Sequence, residues 1–228
     1  MLPSKNKQMP NKLIVIASLL FLAPLPIMAS TFDAASDFSA NNNPNSVWSY
    51  GWSETLGSTF HLYTNQAKNP GGVDVWYELG SNQLIGHNGT GVASISWPVE
   101  QLGFHPGQNN TYSIIRWTAP TTETYSVTAS FVGVDNATTD VHVLNNGHAF
   151  FQGDINGIGS GVQLLPIQIA INVGDTIDFT VGWGANGNIN SDTTGFYATI
   201  SSVPIPGAVW LFGAGLAGLV NSKIRTKK

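Results

Sequence analysis

The sequence predicts an all-β chain: an antiparallel two-sheet sandwich of jelly-roll type, flanked by an N-terminal signal peptide and a C-terminal apolar helix. Three observations predict it. Between Ser30 and Ser202 apolar residues recur with a period of two rather than of about 3.6. The interruptions carry turn chemistry, namely NPGG at Asn69–Gly72, NNG at Asn145–Gly147 and NVGD at Asn172–Asp175. No window of this region reads as an amphipathic helix.

The elements follow in order. Residues 1–29 read as a secretory signal: Lys5, Lys7 and Lys12 form the positive region, Leu13–Leu25 the apolar stretch, and Ala29 supplies a small residue for cleavage before Ser30. At ~1.5 Å per residue the stretch reaches about 20 Å, too short for a ~30 Å hydrocarbon core. In VWSYGW, Trp48, Tyr50 and Trp52 share one face of a strand. Strands are further expected at Thr59–Thr64, Val73–Leu79, Val92–Trp97, Ile114–Thr118, His148–Phe151, Leu164–Ile171 and Phe196–Ile200. The clearest alternation lies in TYSVTASFV, where Tyr125, Val127, Ala129 and Phe131 oppose Ser126, Thr128 and Ser130. Residues 141–143 and 177–181 repeat it. About ten short strands in the domain 30–202 suit a two-sheet sandwich.

Charge divides the chain. Lys68 and Arg116 are the only Lys or Arg between Ser30 and Ser202, a region that holds all 13 carboxylates and so carries −11. Such a body repels phosphate backbones and excludes nucleic acid as a partner. With no cysteine in the chain, a disulfide framework and thiolate chemistry are excluded as well.

The C-terminal segment 203–228 has three ordered features: Val203-Pro204-Ile205-Pro206, an uncharged run to Val220, and four basic residues from Lys223 to Lys228. A span over about 205–220 is barely long enough to cross a bilayer, and the basic tail would hold that end in the cytoplasm. In this order the features resemble the PEP-CTERM sorting signal, with Val203, Pro204 and Pro206 as its motif and Ile205 where the commonest form has Glu. The resemblance implies a Gram-negative exported protein. Its expected partners are the export machinery, signal peptidase and a membrane protease of the exosortase type, and it would pass from the inner membrane to the cell surface or extracellular space. Gly213-Ala214-Gly215-Leu216-Ala217-Gly218 matches G-x-G-x-x-G, but no βαβ unit surrounds it, so it reads as small-residue helix packing in a membrane.

From Ile115 to Ile200, the run IRWTAPTTETYSVTASF, TTDVHVLNNGHAFF, GDTIDFTVGWGANGN and DTTGFYATI resembles the carbohydrate-binding-module-like sandwich domains. That family includes sugar binders and purely structural members. The resemblance implies extracellular polysaccharide as a ligand class, and the alternative is a matrix protein with no discrete ligand site.

Trp48 and Trp52, with Tyr50, either line the core or form a platform for stacking on sugar rings. Trp76 is expected on an exposed face between Asp74 and Glu78, with Val73, Val75, Tyr77 and Leu79 facing the core. There the two acids would accept hydrogen bonds from sugar hydroxyls. Asp74 and Glu78 lie about 13 Å apart along a strand, too far for the carboxylate pair of a glycosidase. Neither a nucleophile elbow at Ser160 nor zinc-ligand spacing among the histidines is present, so no enzyme activity and no cofactor are expected. A structural calcium ion has Asp175 and Asp192 as candidate ligands, since both sit in oxygen-rich loops.

Overall fold

The structure is a computed structural model that describes residues 29–68, 72–91, 95–204 and 212. The signal region before Ala29, residues 92–94 of one expected strand, and the sorting segment beyond Pro204, Pro206 included, lie outside the described residues, Phe212 apart. Among those described, no helix is long and apolar enough to cross a membrane.

Fourteen strands are described. They are β1 (Thr31–Asp33), β2 (Trp48–Ser53), β3 (His61–Leu62), β4 (Asn65–Lys68), β5 (Asp74–Tyr77), β6 (Leu84–His87) and β7 (Leu102–His105), followed by β8 (Tyr112–Thr118), β9 (Glu123–Gly133), β10 (Asp140–Asn145), β11 (His148–Asp154), β12 (Gly161–Ile171), β13 (Thr176–Gly182) and β14 (Thr194–Ser202). They form two antiparallel sheets. The eight-stranded sheet runs β12-β9-β14-β7-β6-β5-β4, with β1 also on β14, and the six-stranded sheet runs β11-β10-β13-β8-β2-β3.

The alternation read from the sequence places the core. Phe131, Phe196 and Phe104 from the larger sheet meet Phe179 from the smaller, with Phe179 and Phe196 ring centroids 5.0 Å apart. At one end Trp117 of β8 meets Tyr125 of β9 edge-on at 4.8 Å. Each ring supplies a large apolar area at an inter-sheet contact, which is what holds two sheets about 10 Å apart.

Strand β14 is the spine of the larger sheet. Along one side it pairs with β9 from Thr194 to Ser202. Its other side is shared: β7 takes Thr194–Phe196 and β1 takes Thr199–Ser201. The two ends of the domain 30–202 close on each other there, Ser30 N–H donating to Ser202 Oγ at 2.9 Å and Ser202 N–H to Ser30 O at 2.8 Å.

Several local expectations need correction. The stretch Thr59–Thr64 forms only the two residues of β3, because the chain turns at Tyr63 into β4. Ile95–Trp97 is not a strand but a strap laid across the outer face of the larger sheet. Beneath it Gly86, Gly103 and Gly195 stand side by side on β6, β7 and β14. A Cβ on Gly103 would lie 2.4 Å from the Trp97 ring, one on Gly86 2.8 Å from it, and one on Gly195 would strike the Gln101 side chain. The glycines therefore form a trench that the indole fills. Trp97 is fixed there by Nε1–H donating to Gln101 O at 3.0 Å and by its carbonyl accepting from Asn88 Nδ2 at 2.7 Å.

Candidate functional site

Two of the three tryptophans expected at a ligand platform, Trp48 and Trp76, are buried. Trp48 has no exposed surface, and its Nε1–H donates to Asp37 Oδ2 at 3.1 Å. Trp76 is 7% exposed and its Nε1–H donates to Ser39 O at 2.7 Å. Both indoles thus point inward and anchor the segment between β1 and β2, and neither presents a ring face to a sugar. The faces of β5 are the reverse of those expected. Trp76 pairs with fully buried Ile85 on the core side, while Val73 and Val75 lie with Gly86 on the outer side. The strap makes this possible, since it buries an apolar outer face that would otherwise have to turn inward. Leu79, expected in the core, is exposed. Asp74 pairs with Lys68 at 3.6 Å in an exposed ion pair, which contributes little. Glu78 is half-buried in the turn to β6, its N–H donating to Gln83 O. Trp52, on β2 beside the edge strand β3, is half-buried and stacks on His61 with centroids 4.7 Å apart.

The two candidate calcium ligands serve different loops. Asp175 Oδ2 accepts from Asn172 N–H (2.8 Å) and Nδ2 (3.2 Å), closing the turn between β12 and β13, and these bonds lower its pKa. Asp192 is fully buried, and its Oδ1 accepts from Thr138 N–H at 2.9 Å. Burial raises the pKa of Asp192, and its Oδ2 has no partner among the described residues. No three His, Asp or Glu side chains converge as a metal-binding group among the described residues.

A groove that the tryptophan argument missed lies on the outer face of the larger sheet, where β12, β9 and β14 run side by side. Alternation puts Phe196, Ala198 and Ile200 of β14 in the core, so Tyr197 must point out, and it is 43% exposed. Across from it the ladder between β12 and β9 slips between Leu164 and Ile167, pushing Leu165 and Pro166 outward as an opposing wall. Leu165 is 73% exposed. The floor between the walls is polar: Thr128 and Thr199, joined Oγ1 to Oγ1 at 2.7 Å, with Ser130, Gln163 and the backbone edge near Asp33. The volume is about 260 Å³. That falls short of the ~300–1,000 Å³ usual for a drug-sized ligand and suits a small polar ring with one apolar face. Asp33 is the single carboxylate of the lining. Its Oδ1 already accepts from Ala35 and Ser36 N–H at 3.0 and 2.9 Å.

No family model and no curated protein matches the chain. Among solved structures it is similar to a family 35 carbohydrate-binding module from Clostridium thermocellum, at 14% identity and TM-score 0.31, over 45% of this chain and 78% of that one. A Podospora anserina β-(1,4)-mannanase carrying a family 35 module gives 16% identity and TM-score 0.31, over 46% of this chain and 22% of that one. A family 51 module from Clostridium perfringens, in complex with methyl-galactose, gives 17% identity and TM-score 0.33, over 60% and 93%. Likenesses this low carry no argument about ligand. The groove must be judged on its own chemistry.

On that basis it has the parts a sugar ring needs. One wall is an exposed aromatic ring, the other an aliphatic pair, and the floor offers hydroxyl and amide groups that both donate and accept. It has no second carboxylate with which to cleave a glycosidic bond. The signal that could have found it was the alternation of Phe196–Ile200, which leaves one aromatic side chain facing outward from mid-strand.

Proposed function

We propose that this chain is an exported, non-catalytic glycan-binding sandwich, sorted through its C-terminal segment to the cell envelope or extracellular matrix. In this reading the groove under Tyr197 holds a sugar unit of an extracellular polysaccharide. The observation that carries the reading is the exposed Tyr197 ring, set on a rigid central strand across from Leu165 and above a polar floor. The sugar's C–H face would pack on the phenol ring, and its hydroxyls would bond to Thr128, Ser130, Thr199 and Gln163. Because the walls belong to strands, little ordering entropy opposes binding. The exported location rests on the sequence signals at the two ends and on the acidic, cysteine-free body.

The test is binding of the purified domain to a glycan array and to exopolysaccharide from the source organism, alongside Tyr197→Ala and Ser130→Val. Binding that both variants lose supports the reading. Absence of binding across the array and the exopolysaccharide, or binding indifferent to Tyr197, refutes it. Sorting is tested separately by reading the mature C-terminus with mass spectrometry, where surface material still ending at Lys228 counts against processing.

A purely structural matrix role is the second reading. What favours it is the eleven-residue β12 at a free sheet edge, a template for pairing with another chain. The bulge and Pro166 in its middle interrupt that edge, which weighs against it.

A further inference from the structure

A second basin lies on the outer face of the smaller sheet, and its chemistry differs from that of the Tyr197 groove. Its centre is Arg116, which alternates outward on β8 between buried Ile115 and Trp117. Ser49 of β2 and Asp178 of β13 flank it in register. The guanidinium is held on two sides. Nε donates to Asp178 Oδ1 at 2.7 Å and Nη2 to Asp178 Oδ2 at 2.8 Å, while the Phe60 ring lies against its face with the centroid 4.2 Å from Cζ. Asp178 is 2% exposed and Arg116 retains about a quarter of its side-chain surface, 24%.

A side-on pair of this kind consumes one edge of the fork. A guanidinium carries five N–H groups in fixed directions, so Nη1 and the second hydrogen of Nη2 are left on the solvent side. No protein acceptor for Nη1 is found among the described residues. The basin in front of them has a volume of about 670 Å³ and carries the hydroxyls of Ser49, Thr64, Thr118 and Thr176. Its lining holds no carboxylate, in a body whose net charge is −11.

We propose that this basin binds a sugar bearing a carboxylate, with the free edge of Arg116 meeting that group in a paired hydrogen bond. Asp178 and Phe60 have already fixed the guanidinium, so binding orders no long side chain, and charge-assisted bidentate bonds are the strong kind. Phe60 supplies the apolar contact for the ring, and the threonine and serine hydroxyls bond to its remaining oxygens. The surrounding negative charge adds a selection. A dense polyanion is repelled, whereas an isolated uronate in an otherwise neutral chain brings a single charge to a guanidinium already paired with Asp178, so its gain comes from the two directed hydrogen bonds of the free edge. The basin is on the sheet opposite the Tyr197 groove, so either site can fail without the other.

The test is calorimetric titration of the domain with a glucuronate-capped xylo-oligosaccharide, and with the same oligosaccharide after carboxyl reduction. The carboxylate form is expected to bind about tenfold or more tightly and to weaken as salt rises. Arg116→Lys, which keeps the charge and loses the fork, is expected to lower affinity about tenfold. Because that change also disturbs the pair with Asp178, Thr118→Glu provides the control. It leaves the pair intact, sets a negative charge in the basin, and should abolish binding with the melting temperature unchanged. Tyr197→Ala should leave this titration as it was. Failure of the carboxylate probe to bind, equal binding of the reduced sugar, or undiminished binding by Thr118→Glu overturns the proposal.

Discussion

Replacing Gly103 by alanine tests how the strap is held, and the structure sets the size of the effect. The added Cβ would lie 2.4 Å from Cζ2, 2.8 Å from Cε2 and 2.9 Å from Cη2 of Trp97. Carbon atoms are comfortable at about 3.5–4.0 Å, so the indole must lift by about 1 Å, and a gap of that size forfeits up to about half of each contact beneath it. The same lift breaks the Nε1–H bond to Gln101 O, worth about 0.5–1.5 kcal/mol net. Together with overpacking costs of about 1–3 kcal/mol, Gly103→Ala should destabilise the domain by about 2–3 kcal/mol. In a Trp97→Ala background the space is open and the clash disappears. There the same substitution should be neutral, or stabilising by about 0.5 kcal/mol through reduced freedom of the unfolded chain. Urea unfolding followed by far-ultraviolet circular dichroism on the four members of the cycle measures this directly. Equal costs of Gly103→Ala in both backgrounds would show that Trp97 does not fill the trench. Gly86→Ala offers an internal contrast, because Val73 and Val75 also crowd its Cβ, at 2.9 and 3.1 Å. Part of its cost should therefore survive the removal of Trp97.

Three further outcomes are expected. Arg116→Met leaves Asp178 as a buried, unpaired carboxylate and should cost about 3–5 kcal/mol in the urea midpoint, with Asp178→Asn in the same background restoring part of it. Two aspartates should respond to pH with opposite signs. For Asp140, burial acts to raise the pKa but is outweighed by hydrogen bonds from His142, Tyr112 and Gly184, so the net shift is downward. Its stabilising contribution is present above the unfolded carboxylate pKa and is lost as pH falls through the lower folded value. Asp140→Asn should therefore lower the melting temperature at pH 7, with the penalty disappearing in acid. For Asp192 burial wins and the shift is upward. Its charged form opposes folding above that range, and Asp192→Asn should raise the melting temperature at neutral pH, with a gain that shrinks as pH falls toward the unfolded value. Finally, Trp48→Ala should cost about 3–5 kcal/mol as a core truncation, whereas Tyr197→Ala should leave the urea midpoint close to that of the parent.

How much of this was legible in the sequence depended on how many faces of a strand are buried. Where one face meets water, as in β9, the alternation of Tyr125–Phe131 gave the correct sides. In β5 both faces are covered, so Val73, Val75, Trp76 and Tyr77 lost the contrast that assigns a side, and the wrong face was chosen. Strands β6 and β7 were not foreseen because Gly86 and Gly103 interrupt short apolar runs. In a strand, such a glycine marks a close approach of another group, here Trp97. The partner that covers a face comes from a distant segment, and that is information a local window does not contain. Tyr197 and Arg116 were within reach of the same alternation, since each stands outward between two core residues. Each is a single outward side chain among inward ones, a weaker local signal than the grouped tryptophans Trp48, Trp52 and Trp76.

The clasp between Ser30 and Ser202 decides how the domain would carry mechanical load. Antiparallel β1 and β14 have their chain ends together, so tension applied between residues 30 and 203 pulls the pair apart from that end. The bonds of the three-residue β1 then break one after another, as in opening a zip. Tension between residue 203 and a ligand held at Tyr197 runs instead along β14 itself. That path follows the covalent backbone from Tyr197 to Val203, so neither the β1 contact nor the nine residue pairs with β9 has to break to bear it. A domain tethered at its C-terminal end and gripping glycan at Tyr197 would thus carry the load through one continuous strand, while the weak β1 contact stays out of the line of force.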